Sequence, residues 1–508
     1  MTIESGIVRR LEEFVPILKQ QRGLHNSEWS DTRVNGLAVD SRKIRLGDCF
    51  IAYPGHFSDG RAFIAAAVQK GAAAVLAEAD GLQVPPGVNV PVVPMSGLQS
   101  QLGAIASAFY GNPSQQLQLV AVTGTNGKTT VTQLIAHALH QLNIVSGVMG
   151  TLGNGLAGQL APTNNTTPDI IDINRLLHEM RQHSARVVAM EASSHGLVQG
   201  RLDGLTLHTG IITNLSRDHL DYHGSMDAYR DAKALLASNA TLRTLIVNAD
   251  DAQVMGMAAN ARDGVQVMTF SLNQNSGATL VARDLDFHAN GLRLQVSIDG
   301  QTAVLESPLV GEFNASNLLA ALAGLLALDV SLADACRALG QVQPVAGRVE
   351  MVNPQKSVNE PAVVVDFAHT PDALEKVILS LRRHCAGKLW CVFGCGGDRD
   401  AGKRPLMGAV VARDADETII TADNPRTEKL KNIIGHIVKG IPPESAFKII
   451  EDRTQAVEFA VLNAAGEDLI LLAGKGHEDY QDVQGTKHSY SDLDVARQAL
   501  QKRKQVSA

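Results

Sequence analysis

The chain has 508 residues, of which 45% are apolar and 19% charged, and a net charge of −7. That length leaves room for three or four domains of ordinary size, and the composition supplies several apolar cores. The acidic balance speaks against binding nucleic acid through a broad basic face, and no apolar run reaches the roughly 20 residues of a membrane span.

The N-terminus, MTIESGIVRRLEEFVPILKQ, carries acids among its apolar residues, so no signal peptide is expected. The five cysteines, Cys49, Cys336, Cys385, Cys391 and Cys395, are odd in number and loosely spaced. Cys391 and Cys395 lack a second metal-ligand pair, so neither a disulfide framework nor a thiolate metal site is expected. These features together predict a soluble protein of a reducing cytoplasm.

The first block ends near Gly111-Asn-Pro113, and a domain over residues 1–114 is expected. Within it, Gly36-Leu-Ala-Val-Asp-Ser-Arg42 predicts a short strand entering a polar loop. Leu117–Val122 predicts an apolar strand, Gly124–Lys128 a tight loop, and Thr129 the start of a helix with Val131, Leu134, Ile135 and Leu139 apolar. Strand, glycine loop, Lys-Thr and helix aim backbone N–H groups and a helix N-terminus at phosphates. Lys128 would reach the terminal phosphates and the Thr129 hydroxyl would ligate Mg²⁺. The first glycine of the usual pattern falls on Val122, so Gly124-Thr-Asn-Gly-Lys-Thr-Thr130 is a shortened loop.

Gly153-Asn-Gly155-Leu-Ala-Gly158 matches the dinucleotide fingerprint literally. That fingerprint needs a helix directly after it, and Gln-Leu-Ala-Pro-Thr-Asn-Asn cannot start one cleanly. Val187–Glu191 and Gly210–Asn214 predict strands, followed by Ser193-Ser-His-Gly196 and Ser216-Arg-Asp-His-Leu-Asp-Tyr-His223. Glu191 and His219 at strand ends near a phosphate loop are placed to hold Mg²⁺. Lys233 lies in a predicted helix and, taken alone, reads as a solvated surface residue.

Pro and Gly in Gln343-Pro-Val-Ala-Gly347 mark a hinge, dividing a central domain over 115–343 from a C-terminal one over 344–508. In the last block the short apolar runs Ala362–Phe367, Leu389–Phe393, Glu417–Thr421, Phe447–Ile450 and Leu469–Leu472 alternate with helical stretches. That alternation predicts an α/β fold with a mostly parallel sheet covered on both faces. Ligands bind such sheets outside the carboxyl ends of the strands. Asp366 and His369, Gly394–Arg399, Asp423–Arg426, Asp452 and Arg453, and Gly474–Glu478 would therefore line one cleft.

Gly124–Thr130, Glu191-Ala-Ser-Ser-His-Gly196, Thr213–His223, Gly347-Arg348, Asp366-Phe-Ala-His-Thr-Pro-Asp372, Gly394–Asp400, Asp423-Asn-Pro-Arg426 and Gly474-Lys-Gly-His-Glu-Asp-Tyr480 resemble the Mur ligases of peptidoglycan synthesis. The matches run in order through nearly the whole chain. The resemblance implies three domains: a UDP-sugar domain, a central P-loop ATPase domain, and a C-terminal Rossmann-like parallel-sheet domain for the incoming amino acid. It implies that Val39, Ser41, His56, Phe57 and Ser58 hold the UDP-sugar, and that Asn165, Thr166, Thr167, Ser193, Gln199 and Arg201 hold its muramoyl-dipeptide part. Gly124, Thr125, Asn126, Gly127, Lys128, Thr129, Thr130, Asn314, Arg348 and Asp366 would contact ATP. Thr129, Glu191, His219 and a carbamylated Lys233 would place Mg²⁺. CO₂ adds only to a neutral amine, so Lys233 would need a lowered pKa.

The resemblance also assigns Arg399, Asp423, Asn424, Pro425, Arg426, Gly474 and Glu478 to a pocket for meso-diaminopimelate. Arg426 can bind the distal carboxylate of that substrate bidentately, and Glu478 can pair with its ammonium. Lysine has no such carboxylate and would leave Arg426 unpaired. The implied activity is an ATP-dependent amide ligase of peptidoglycan precursor synthesis, serving cell-wall biogenesis, cell shape and cell division. It would join meso-diaminopimelate to UDP-N-acetylmuramoyl-L-alanyl-D-glutamate through an acyl phosphate. His369 is a candidate base for the amine, and a monomer is expected. One departure from the family pattern is Lys429-Leu430 after Thr427-Glu428, where relatives often carry an acid-Pro pair. Two alternatives remain open: a folylpolyglutamate synthetase-like ligase, and a P-loop NTPase module without ligase chemistry.

Overall fold

The computed structural model describes residues 7–15, 18, 29, 31–55, 58–163, 165–274, 276–288, 291–345, 347–353 and 356–507. The fold is α/β with parallel sheets. The chain divides into two compact units, Met1–Ala121 with Ile144–Thr209 and Asn239–Arg243, and Val122–Asn143 with Gly210–Ser238 and Thr244–Ala508.

In the first unit, strands Gly36–Ala38, Asp48–Ala52, Ala74–Glu78 and Val92–Met95 pair in that order, each parallel to the next. Phe50, Ile64, Ala67 and Val75 fill the core beneath them. The predicted strand after Gly36 stops at Ala38, because the Asp40 carboxylate accepts from Arg42 N at 2.9 Å and turns the chain into a 3₁₀ helix over Ser41–Lys43. Such Asx turns compete with strand pairing. Elsewhere in this unit Ser146–Gly150 runs parallel to Val187–Glu191. The literal dinucleotide motif forms a hairpin, with Gly153–Leu156 antiparallel to Gln159–Ala161. Helix Ile170–Gln182 is capped by Asp169, which accepts from Ile171 N and Asp172 N. It buries Ile170, Ile173, Leu177 and Met180 on one face at helical spacing.

The second unit holds the helix Lys128–Gln141 that follows the phosphate loop, and the parallel pair Thr244–Asn248 and Gln266–Ser271. An antiparallel meander, Leu280–His288, Gly291–Ile298 and Gln301–Ser307, comes next. Helix Glu312–Ala327 is buried almost all round.

The same unit contains a six-stranded sheet in the order Glu350–Met351, Ala362–Asp366, Leu469–Ala473, Leu389–Phe393, Glu417–Ile420, Lys448–Ile449. All its pairings are parallel except that of Glu350–Met351, which is antiparallel. The five predicted runs are these five parallel strands. Alternate residues face opposite layers: Val364, Phe393 and Leu471 pack with Ile378, Met407 and Ile433, whereas Val363, Val392 and Leu472 pack with Val457, Ala460 and Ala496. Burial on both faces explains why these strands read as continuous apolar runs. The exception is Lys448–Ile449, whose two residues are both exposed at the sheet edge. All five cysteines are free thiols, and among the described residues no helix is long and apolar enough to cross a membrane.

Candidate active site

Strand Gln118–Thr123 delivers the chain to the phosphate loop. Gly124 has φ +144° and Gly127 φ +88°, and a Cβ at Gly124 would overlap Thr213 Oγ1. Only glycine permits that approach. The loop is held from outside. Asn214 Oδ1 accepts from Asn126 N at 2.9 Å, Thr213 Oγ1 donates to Asn126 O at 2.6 Å, and Thr125 N donates to Asn214 O at 2.9 Å. Gly127 caps helix Lys128–Gln141 and points its first N–H groups into the loop.

Two amines converge on one carbonyl. Lys128 Nζ donates to Gly124 O and to Thr125 O, both at 2.9 Å, and Lys233 Nζ donates to Gly124 O at 2.8 Å. Lys233 is not the surface lysine its helix suggests. It is 1% exposed and lies 4.3 Å from the Tyr229 ring centroid. Burial first, then the charge of Lys128, pushes its amine well below the usual lysine range. That is the condition for taking up CO₂. A carbamate there, with the buried Thr129 hydroxyl, would supply the hard oxygen ligands that Mg²⁺ prefers. His219 stands at the start of helix Leu220–His223 in a left-handed conformation, 3.5 Å from Asp218 through Nε2.

Beside the loop, within the same unit, lies a cavity of about 640 Å³ lined by Asn126, Gly127, Thr130, Arg348, Asp366 and His369 among others. Asp366 closes strand Ala362–Asp366, and its carboxylate accepts from Val349 N at 2.8 Å and Ala368 N at 2.7 Å. Arg348 lies over the Phe367 ring at 4.6 Å and donates to Thr129 Oγ1 at 3.3 Å. Asn314 is buried behind this wall, with Nδ2 on Val310 O; Asn317, one turn on, donates to its Oδ1 at 3.2 Å and lines the cavity. Asn248, Asp250 and Lys376 also line it, and nothing in their sequence context singled them out.

His369 Nδ1 lies 2.8 Å from Phe367 O. A carbonyl only accepts, so Nδ1 carries the proton and Nε2 is left as acceptor. Burial, then Lys403, lowers the ring to about 4. The imidazole is therefore neutral near pH 7, able to accept a proton but only a weak base.

In the first unit, Glu191 is 1% exposed and accepts from Thr151 N at 2.8 Å and Thr151 Oγ1 at 3.2 Å. Thr151 Oγ1 also contacts Thr166 Oγ1 at 3.2 Å. Thr167 Oγ1 donates to Glu191 O at 2.8 Å and bonds Ser193 Oγ at 3.0 Å, and Arg201 joins Thr167 O and Gln199 Oε1. Thr166, Thr167, Glu191, Ser193, Gln199 and Arg201 thus form one connected group, while Asn165 is exposed beside it. Val39 lines a separate cavity of about 730 Å³ in this unit. Ser41 opens the 3₁₀ helix and Ser58 is exposed. His56 and Phe57 lie outside the described residues.

At the carboxyl ends of the six-stranded sheet, Gly474 lies against Asp423 and Asn424 donates to Glu478, with Arg426 two residues further along the same loop. Arg426 has φ +50°, uncommon for a bulky side chain. The hairpin Tyr480–Val483 and Thr486–Ser489 imposes it: Arg426 N donates to Asp482 O at 3.0 Å, and Gln484 N donates to Arg426 O at 2.8 Å. The guanidinium donates to Gly397 O at 2.7 Å, and among the described residues no acidic side chain pairs with it. A Cβ on Gly396 would lie 2.8 Å from Arg426 Nη1 and 3.7 Å from Arg399 Cγ, so both arginine arms flank that glycine. Pro425 is buried between Asn424 and Arg426.

Glu428, at the departure noted above, pairs with the buried Arg404 at 2.7 Å, and helix Leu430–Val438 starts without a side-chain cap. Arg453 does not face the cleft. It is fully buried and bound to Asp492, while Asp452 caps the helix that follows.

Three family profiles match the chain: the catalytic domain of the Mur ligase family over residues 33–110, the Mur ligase middle domain over 122–325, and the Mur ligase glutamate ligase domain over 347–476. The UDP-N-acetylmuramoyl-L-alanyl-D-glutamate–2,6-diaminopimelate ligase of Pseudomonas aeruginosa is 47% identical over 470 residues, 92% of this chain and 96% of that protein. A solved structure of a ligase of the same name superposes with a TM-score of 0.70 at 35% identity, covering 98% of this chain and all of that one. MurF of Thermotoga maritima, solved in complex with ADP, shares the fold at 15% identity, with a TM-score of 0.65 over 93% of this chain and 98% of that one.

Proposed function

Because the chain belongs to the Mur ligase family, we propose that it joins meso-diaminopimelate to UDP-N-acetylmuramoyl-L-alanyl-D-glutamate at the expense of ATP. The observation that carries the choice of acceptor is the distribution of charge at the carboxyl ends of the six-stranded sheet. Arg426 and Arg399 have no acidic partner among the described residues, while Glu478 is tied to Asn424 and both Asp423 and Glu478 to Lys475. Free cations beside fixed carboxylates suit an amino-acid head group with one carboxylate and one ammonium.

Three domains would divide the work: 1–114 for the UDP-sugar, 115–343 for ATP, and 344–508 for the amino acid. Val39, Ser41 and Ser58, with His56 and Phe57, would hold the UDP-sugar. The group around Thr167 would hold the muramoyl-dipeptide. Lys128 and the loop N–H groups steer the γ-phosphate onto the D-glutamyl γ-carboxylate, giving an acyl phosphate and ADP. The amine of diaminopimelate then attacks the acyl carbon, and phosphate leaves from the tetrahedral intermediate. The protein supplies position and fixed charge. Thr129, His219 and carbamylated Lys233, with Glu191 from the family pattern, would hold Mg²⁺, which when bound neutralises phosphate oxygens. His369 would take up the amine proton through Nε2. A monomer of the cytoplasm, contributing to cell shape and division, completes the proposal.

A coupled assay with both nucleotide substrates tests the acceptor. Activity with L-lysine should lie about 100-fold or more below that with meso-diaminopimelate in kcat/KM, because lysine leaves Arg426 unpaired. Arg426→Ala should lose most of that preference. Equal or greater activity with lysine would sink the assignment.

Lys233 gives a second test. Burial and the charge of Lys128 push its amine well below the usual lysine range, which favours the neutral form that CO₂ requires. Activity should fall in CO₂-depleted buffer and return with bicarbonate. Lys233→Ala should lose about 100-fold and show no bicarbonate response. Full activity without CO₂ would remove the carbamate from the mechanism.

A further inference from the structure

Lys475 follows Gly474 at the end of strand Leu469–Ala473, and its side chain is 0% exposed. A fully buried ammonium is costly unless its hydrogens are satisfied. Its Nζ donates to Glu478 Oε2 at 2.8 Å and to Asn424 Oδ1 at 3.2 Å, and lies 3.8 Å from Asp423 Oδ1. One buried cation therefore touches three side chains assigned above to the acceptor pocket. Resting on that acceptor assignment, we propose that Lys475 is the positioning residue of the pocket. It locks Asn424 and Glu478 in one arrangement and sets the charge that receives the substrate ammonium.

The hydrogen bonds allow only one arrangement. Asn424 Oδ1 accepts from Lys475 Nζ and from Asp482 N at 2.9 Å. Turning the amide over would aim its NH₂ at two donors, so Nδ2 must face Glu478, where it donates to Oε2 at 2.8 Å. Glu478 Oε2 is thus held by two donors, and among the described residues no donor reaches Oε1, which can accept from a ligand. The charges also count. Asp423 and Glu478 carry two negative charges and Lys475 one positive, so this side of the pocket has a net charge of about −1. That balances a single ammonium. Without Lys475 the two carboxylates would repel each other, and Glu478 would lose its fixed rotamer. Arg399 and Arg426 do not enter this network among the described contacts and remain available to the carboxylate.

Lys475→Met keeps the length of the stem and removes the charge. The full-length variant should show KM for diaminopimelate raised about 10- to 100-fold, with KM for ATP and for the UDP-linked substrate within about twofold of wild type. The double variant with Glu478→Gln separates positioning from mere packing. Because Lys475 acts through Glu478, the two losses should be strongly non-additive. If Lys475→Met does not fold, Lys475→Gln takes its place in the same cycle. Additive losses, a fall in kcat with KM for diaminopimelate unchanged, or an equal rise in all three KM values would each overturn the proposal. Failure of the acceptor assignment would look different, since the wild-type protein itself would then show no diaminopimelate-dependent ADP release.

Discussion

Lys128→Met is expected to lower the rate of ADP formation by about 10³-fold while leaving binding of the UDP-linked substrate unchanged. Two anions, a carboxylate and a triphosphate, must meet for acyl phosphate to form. Lys128 brings a cation to the loop, where its Nζ already lies 2.9 Å from two loop carbonyls. Methionine keeps the stem and removes the charge. The loop itself should survive, because Thr213 and Asn214 tie it independently and Gly124 O keeps its bond from Lys233. A second effect adds to the first. After burial, the charge of Lys128 is what lowers the Lys233 pKa, so its removal lets that pKa rise and disfavours the neutral form that CO₂ requires. The variant should therefore need more bicarbonate than the wild type for its residual activity. A kcat within tenfold of wild type would deny Lys128 a role at the γ-phosphate.

The second large effect is on stability. Arg453 and Asp492 are both 0% exposed, and the pair is bidentate at 2.8 and 2.7 Å. Arg453 also donates to Ala473 O at 2.8 Å and Ala422 O at 3.3 Å, and Tyr490 donates to Asp492 at 2.7 Å. Ala422 precedes Asp423 and Ala473 precedes Gly474, so one guanidinium ties together the two strand ends that carry the acceptor pocket. Arg453→Ala leaves a buried carboxylate and two buried carbonyls short of donors. The cost should be about 3–5 kcal/mol, seen as a fall in Tm on the order of 10 °C. Replacing both partners by leucine should recover only the part of the loss due to the stranded charge, since the Ala422 and Ala473 carbonyls still lack their donor. A single variant as stable as the wild type would show that the pair carries no net stabilisation.

Local pattern made much of this legible in the sequence. Gly124, Gly127 and Lys128 form a short motif whose geometry depends on neighbouring residues, and four of the five parallel strands stand out because burial on both faces makes them mostly apolar. The hairpin at Gly153–Gly158 was recognisable as a false fingerprint because no helix could follow it. Asn317 escaped notice, since in an apolar helix a single amide gives no local sign of facing a cavity. Arg453 seemed to belong to the cleft because sequence position places it at a strand end, but Asp492, 39 residues later, turns it inward.

What the sequence alone determined is the α/β fold class, the use of a phosphate loop, and the residue types at the strand ends. What only the tertiary structure decided is the state of those residues. Lys233 reads as a solvated helix lysine and Lys475 as one residue of a cleft-lining loop, yet one is buried against Gly124 O and the other against Asn424 and Glu478. Their partners are 109, 51 and 3 residues away along the chain. Charge state and orientation depend on desolvation and on neighbours brought together by packing, and the two long-range contacts leave no periodicity for a sequence to show.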